Sequence, residues 1–211
     1  MPNTKLLVVV DTQVDFVMTD GHLPVAGAEQ IITPGIRFLT KLDPVAYAAA
    51  LFTFDTHHPD EYLGSPENIG VPEKSIPGFP LHCVKGTPGW ENVFNPNLVP
   101  QPIPAYRLEK DVFDMWEKPG DDTLVYPIMR EAGLASAIGR NRESFFDHLL
   151  PPTVDTATVL GVASDFCVAH AIRGLLARGL KVEVVAHLTA GIIRDIAQTV
   201  ADEFPGRVSI I

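Results

Sequence analysis

The stretch TATVLGVASDFCVAHAIRGLLARG, residues 156–179, decides the fold. Thr156–Val162 is rich in β-branched and apolar side chains, the pattern of a strand buried on both faces. From Phe166 to Arg178 the apolar residues recur at helical spacing, and Gly179 supplies the stop. Lys181–Ala186 reads as the next strand. A strand, a helix and a strand in so short a span form a crossover unit of a parallel sheet. Working outward, Lys5–Val10 (KLLVVV) is another continuous apolar run. Ala28–Leu42 is an amphipathic helix, with Pro34 in its first turns or at a break. Val45–Thr53 is a strand leading into Phe54-Asp55, and Tyr106–Glu109 is a short third one. Arg194–Glu203 is a helix and Val208–Ile211 a final strand. The alternation predicts an α/β three-layer sandwich whose parallel, doubly wound sheet has about six strands.

The chain has 211 residues, a length suited to one domain spanning 1–211. Hydrophobic residues make up 46% of it and charged ones 20%, so a sizeable core can form. The formal charge of −10, with no run of Lys or Arg, argues against a nucleic-acid partner. No apolar stretch approaches a membrane span, and residues 1–5 lack a signal-peptide pattern. Two cysteines, Cys83 and Cys167, are too few for a disulfide framework, and a cytoplasmic setting is expected. Residues 56–104 stand apart. They are dense in Pro and Gly, without periodicity, and a connection that long inside a compact domain usually carries function.

Ligands gather at the carboxyl ends of the strands in such sheets. Asp11 follows the first strand, Asp55 the second and Lys110 the third, while Cys167 opens the helix after Thr156–Val162. A cysteine at a helix N-terminus faces unpaired N–H groups and the positive end of the helix dipole, which favour thiolate. The same N–H groups can hold an oxyanion. A carboxylate to take the proton and an ammonium to add charge would complete an activated nucleophile without histidine. Each residue has a plainer reading: an Asp capping a turn, a solvated Lys, a buried thiol. The signal lies in their joint placement at one sheet edge. Asp55-Thr56-His57 puts a carboxylate and an imidazole on one side of an extended segment, and His82 lies across the long connection. These three suit a divalent ion such as zinc, although Asp-X-His with a distant His also arises by chance.

The chain resembles the isochorismatase-like cysteine hydrolases, which include nicotinamidases. The likeness is carried by Asp11-Thr12-Gln13-Val14-Asp15-Phe16, by Gly21-His22-Leu23-Pro24-Val25 and Gly27-Ala28, and by Lys110 with Phe113 three residues on. It closes on Gly161-Val162-Ala163-Ser164-Asp165-Phe166-Cys167-Val168. The resemblance implies that Asp11, Lys110 and Cys167 form a catalytic triad. It also implies a cis Val162–Ala163 peptide, with an oxyanion hole made by the Ala163 and Cys167 amides. It extends the metal set of Asp55, His57 and His82 by Glu67, with His58 and Glu61 close enough to take that place. The extra residues Asn68–Gly78 depart from the family pattern. The ion implied is zinc, with iron or manganese as alternatives. Phe16 and Phe79 are implied as pocket walls, and Phe113, Trp116 and Val162 are further candidates.

The activity so implied is metal-assisted hydrolysis of a small amide through a thioester, nicotinamide to nicotinate plus ammonia, by a homo-oligomer with a small-molecule substrate. Two other readings stand beside it: a hydrolase of another small amide or carbamoyl compound, and a non-catalytic α/β interaction module. Cys83 reads as a buried small side chain and His170 as a packing or solvent-facing residue. His22 and His148 read as surface residues. His187, expected near the mouth, has no assigned role.

Overall fold

The computed structural model describes residues 4–70, 77–128 and 139–211. The strands are β1 (Lys5–Val10), β2 (Tyr47–Asp55), β3 (Ala105–Lys110), β4 (Leu124–Pro127), β5 (Arg140–Asn141), β6 (Thr156–Val162), β7 (Lys181–Ala190) and β8 (Val208–Ile210). They form one sheet in the order β5-β4-β3-β2-β1-β6-β7-β8. The six strands from β3 to β8 across the middle are parallel, as the alternation predicts. The sheet nevertheless has eight strands, because β4 and β5 add an antiparallel edge beyond β3. These two are four and two residues long, too short to show periodicity, and Leu124 on β4 is exposed.

The larger helices are α1 (Ile32–Thr40), α2 (Cys167–Ala177) and α3 (Ile196–Glu203). The expected helix from Ala28 is split. Ala28–Ile31 is a 3-10 turn that runs into α1, which leaves Pro34 in the first turn of α1, where a missing N–H costs nothing. β2 is buried at all nine positions and β1 at all but its first, as a sheet covered on both faces requires. Leu7, Phe52, Leu160 and Ile172 are among the fully buried side chains of the core that the described residues share.

β1 lies between β2 and β6. The chain leaves β1 toward β2 in one direction, and from β6 it proceeds to β7 and β8 in the other. Right-handed crossovers then place the covering helices on opposite faces, so a crevice opens at the carboxyl ends of β1 and β6. Asp11 and Cys167 flank that crevice. The sheet approaches closely here. Gly161 has φ +123°, and a Cβ on it would fall 2.1 Å from the Val10 carbonyl oxygen.

The long connection is folded against this end of the sheet by short elements at Pro59–Tyr62 and Pro66–Ile69 and by side chains of the Asp11–Phe16 segment. The Gln13 amide donates to the carbonyls of Asp55 (2.7 Å) and Trp90 (3.1 Å) and accepts from the Asp55 N–H (2.8 Å). The buried Asp15 carboxylate accepts from the Cys83 N–H at 2.7 Å, and His22 Nδ1 lies 2.8 Å from it. Of the Asn68–Gly78 departure, residues 71–76 lie outside the described residues. Among the described residues, no helix is long and apolar enough to cross a membrane.

Gly161→Ala is expected to destabilise the protein by about 1–3 kcal/mol, through a strained φ and a clash that moves β6 off β1. Denaturant melting checks this, and a variant as stable as the parent contradicts the close approach.

Candidate active site

Lys110, at the end of β3, is buried among acidic partners. Its Nζ lies 2.8 Å from Asp11 Oδ2, 3.3 Å from Asp55 Oδ1 and 3.6 Å from Cys167 Sγ. Burial alone would lower its pKa, but Asp11 and Asp55 hold it well above the ordinary value. Asp11 adopts φ +47° as the chain turns out of β1, and its Oδ1 accepts the Thr53 hydroxyl at 2.5 Å. The three residues expected to act together therefore converge, and Lys110 is the member that touches both of the others.

Cys167 is the first residue of α2, and the turn before it is braced from β7. Ser164 N–H donates to the Ala190 carbonyl at 2.8 Å, and the Ser164 hydroxyl to the Arg194 carbonyl at 2.5 Å. Asp165 accepts the N–H groups of Ile192, Ile193 and Arg194. The Val162–Ala163 peptide is cis. The Cys167 amide, as the first of a helix, has no intrahelical acceptor. Burial pushes the Cys167 thiol well above its usual pKa. Lys110 opposes that shift, while Asp11, Asp55 and Glu67 reinforce it.

Next to Lys110 lies a second group. One oxygen or nitrogen from each of Asp55, His57, Glu67 and His82 falls within 4.8 Å of the others, and all four residues are buried. Asp55 Oδ2 is 3.1 Å from His57 Nε2 and 3.0 Å from His82 Nε2. Glu67 Oε2 is 3.1 Å from His57 Nε2 and 3.8 Å from His82 Nε2. The Glu67 carboxyl is 1% exposed, yet neither oxygen receives a well-aligned hydrogen bond.

His82 Nδ1 sits 2.7 Å from the Pro80 carbonyl, to which it can only donate, so in the neutral ring the Nε2 lone pair faces the carboxylates. Lone pairs turned toward carboxylates, with buried acceptors left unpaired, form a site for a cation. The two carboxylates and two imidazoles fit a divalent metal, and the second nitrogen of His82 is already oriented as metal-bound histidines usually are. Without a cation, protons must balance the charge. Burial would lower the His57 pKa, but Asp55 and Glu67 raise it to about 10. Burial, reinforced by Asp55, raises Glu67 to about 7. Asp55 stays well below the carboxylate range despite its burial, held there by Lys110 and His57. Of the three residues weighed for the fourth place, Glu67 is the one in the group. His58 and Glu61 line a neighbouring polar cleft instead.

Cys167, Ala163, Asp55 and His82 share a small pocket walled by aromatic rings. Phe16, Phe79 and Phe113 line it as expected. Val162 does not. It is fully buried at the end of β6, and its neighbour Ala163 reaches the pocket instead. Phe166 was missed, although its place before the cysteine was a signal. It meets Phe79 and Phe113 with ring centroids 5.7 and 5.6 Å apart. Phe16 lies 5.1 Å from the His82 ring. Trp116 lies behind the wall rather than in it. Cys83 is buried, as expected, and burial raises its thiol further. His187 falls within β7 and borders a groove with α1, away from these residues.

Among curated proteins, the chain is similar to a nicotinamidase/pyrazinamidase of Mycobacterium tuberculosis (strain ATCC 25618 / H37Rv). The two are 26% identical over 199 residues, which is 94% of this chain and 93% of that one. Among solved structures it is similar to a pyrazinamidase of Pyrococcus horikoshii in complex with zinc, at 24% identity and TM-score 0.65, covering 98% of both chains. It is also similar to an isochorismatase-like hydrolase of Alkaliphilus metalliredigens, at 20% identity and TM-score 0.65, covering 98% of this chain and 93% of that one. It shares the fold of these isochorismatase-like structures. No protein-family model matches it.

Purified protein is expected to carry one divalent ion per chain by elemental analysis, and His82→Ala to lower its affinity about 100-fold or more. His57 and Glu67 must shed protons to bind an ion, so uptake releases protons and affinity rises with pH through about 7, where Glu67 titrates. Calorimetry in buffers of different ionisation enthalpy reads this directly, and an affinity independent of pH contradicts the assignment.

Proposed function

We propose that this chain hydrolyses a small flat carboxamide, with nicotinamide as the leading substrate, to the acid and ammonia through a thioester on Cys167. The observation that carries this reading is the contact of one buried ammonium, Lys110, with a carboxylate and a thiol. Those groups stand beside the Asp55, His57, Glu67 and His82 group in a ring-walled pocket. The similarity to the mycobacterial nicotinamidase/pyrazinamidase over almost the whole length supports it.

In this scheme Asp11 removes the Cys167 proton while Lys110 stabilises the sulfur anion that forms. Burial makes a free thiolate costly, so proton removal and attack on the carbonyl proceed together. The oxygen that becomes negative is received by the Ala163 and Cys167 amides. Asp11 returns the proton to the nitrogen as the C–N bond breaks, and ammonia leaves. Water then adds to the thioester, Asp11 takes its proton, and the acid departs as the thiol is restored. A divalent ion held by Asp55, His57, Glu67 and His82 would supply Lewis-acid polarisation and offset the carboxylates that burden the thiol. Phe79, Phe113 and Phe166 exclude water and favour a flat ring.

A second reading, hydrolysis of another small amide or a carbamoyl compound, uses the same nucleophile with a differently shaped pocket. The resemblance also implies a homo-oligomer, while the chain length favours a single domain and the two cysteines a cytoplasmic setting.

Ammonia release from nicotinamide, measured against a panel of small amides and carbamoyl compounds, tests the assignment. Nicotinamide is expected to have the highest kcat/KM, and Cys167→Ala to lose about a thousandfold or more in kcat. Lys110→Met is expected to fall to a similar level and to cost about 3–5 kcal/mol of stability, because it strands two buried carboxylates. Wild-type turnover in Cys167→Ala refutes the scheme, and a carbamoyl compound at the top of the panel favours the second reading.

A further inference from the structure

The segment between Lys110 and β4 carries Phe113 into the pocket wall, and its one short 3-10 turn, Gly120–Asp122, comes well after that residue. Its support comes from Trp116. The indole packs against α2 at Gly174, where an added Cβ would fall 2.0 Å from Trp116 Nε1. Only glycine leaves room for the ring there, two turns along the helix that Cys167 begins. Arg142 and Arg178 flank the indole, with guanidinium carbons 5.3 and 5.1 Å from its centroid. Phe146 closes a further side at 4.9 Å.

The backbone around Trp116 is held as well. Buried Arg142 donates to the carbonyls of Met115 (2.5 Å) and Lys118 (3.0 Å). Asp114 accepts the Trp116 N–H at 2.9 Å, and its other oxygen lies 3.4 Å from His170 Nδ1 on α2. Trp116 does not line the pocket, but Phe113, three residues earlier, meets Phe79 and Phe166 edge-on and tilted, at 5.8 and 5.6 Å.

We propose that Trp116, seated on Gly174, is a positioning residue that locks Phe113 to the nucleophile's own helix and thereby sets how wide a molecule can reach Cys167. The lock acts on pocket width rather than on the reacting atoms. A rigid rotor such as indole holds a backbone segment at low entropic cost, and two arginines stacked on it add cation–π attraction. Removing it frees Phe113 to swing, and wider ligands gain access. The idea takes the pocket of the proposed amidase, but its first test does not depend on the amidase activity.

That test is alkylation of Cys167 by a small reagent, iodoacetamide, and a bulky one, N-phenylmaleimide. It is read on the Cys167 peptide by mass spectrometry, so Cys83 does not interfere. Trp116→Ala is expected to raise the bulky-to-small rate ratio about tenfold, the scale of one lost aromatic packing contact. Trp116→Phe should restore most of the parental ratio. Phe113→Ala should raise the ratio as much as Trp116→Ala, and the double variant no further, because one residue acts through the other. Where Trp116→Ala fails to fold by melting, Trp116→Leu takes its place. An unchanged ratio overturns the proposal, and so does a double variant in which the two effects add. Kinetics give a second reading: KM for nicotinamide should rise about tenfold with kcat little changed. A chain that releases no ammonia from any amide ends the amidase assignment while leaving the alkylation result to decide this one.

Discussion

Buried charge governs this molecule more than any packing contact does. One ammonium, that of Lys110, stands at the carboxyl edge of the sheet with two carboxylates in contact and a third close by. Asp11, Asp55 and Glu67 together outweigh it, and low polarity around them magnifies every imbalance. The surplus shows in the neighbours. His57 clings to a proton because of it, while burial first and the surplus second make Glu67 resist giving a proton up and drive the Cys167 thiol toward its neutral form. A divalent ion held by Asp55, His57, Glu67 and His82 would offset the surplus at its source. Metal group and nucleophile are therefore two halves of one electrostatic arrangement.

Topology explains why such distant residues meet. The chain runs outward from β1 in one direction and from β6 in the other, so the ends of these adjacent strands share a crevice. Asp11 sits at one lip and Cys167 at the other. Lys110 arrives from two strands away on the parallel side, in register with Asp55. Gln13 and Asp15 extend the order into the long connection. Gln13 fixes the backbone of Asp55, and Asp15 fixes that of Cys83, the residue after His82. Residues that resemble mere motif filler thus aim the ligands.

Much of this was legible from residue order, and the exceptions have physical reasons. Central strands such as β1 and β6 are read easily because burial on both faces leaves continuous apolar runs. β4 and β5 were invisible, since a strand of four residues or two carries no period and depends on the neighbour it pairs with. The helix from Ala28 was placed correctly but not its internal change of winding. Asp55, His57 and His82 followed from spacing, whereas Glu67 came only through family likeness, because nothing local distinguishes it from Glu61. At the end of β6 it is Ala163 rather than Val162 that reaches the pocket, a choice set by the turn beyond the strand and not by strand alternation. The seat of Trp116 on Gly174 joins residues far apart in the chain, and neither reveals its partner by composition.

The two oxygens of Asp55 serve different partners. Oδ1 faces the Lys110 ammonium at 3.3 Å, while Oδ2 faces both imidazoles at about 3 Å. A single carboxylate shares its electron density between both tasks, so whatever pulls on one oxygen slackens the hold of the other. An ion held by Asp55, His57, Glu67 and His82 would draw on this carboxylate and so would weaken its hold on the ammonium. Exchanging one metal for another would then retune the nucleophile remotely, with the carboxylate as conduit.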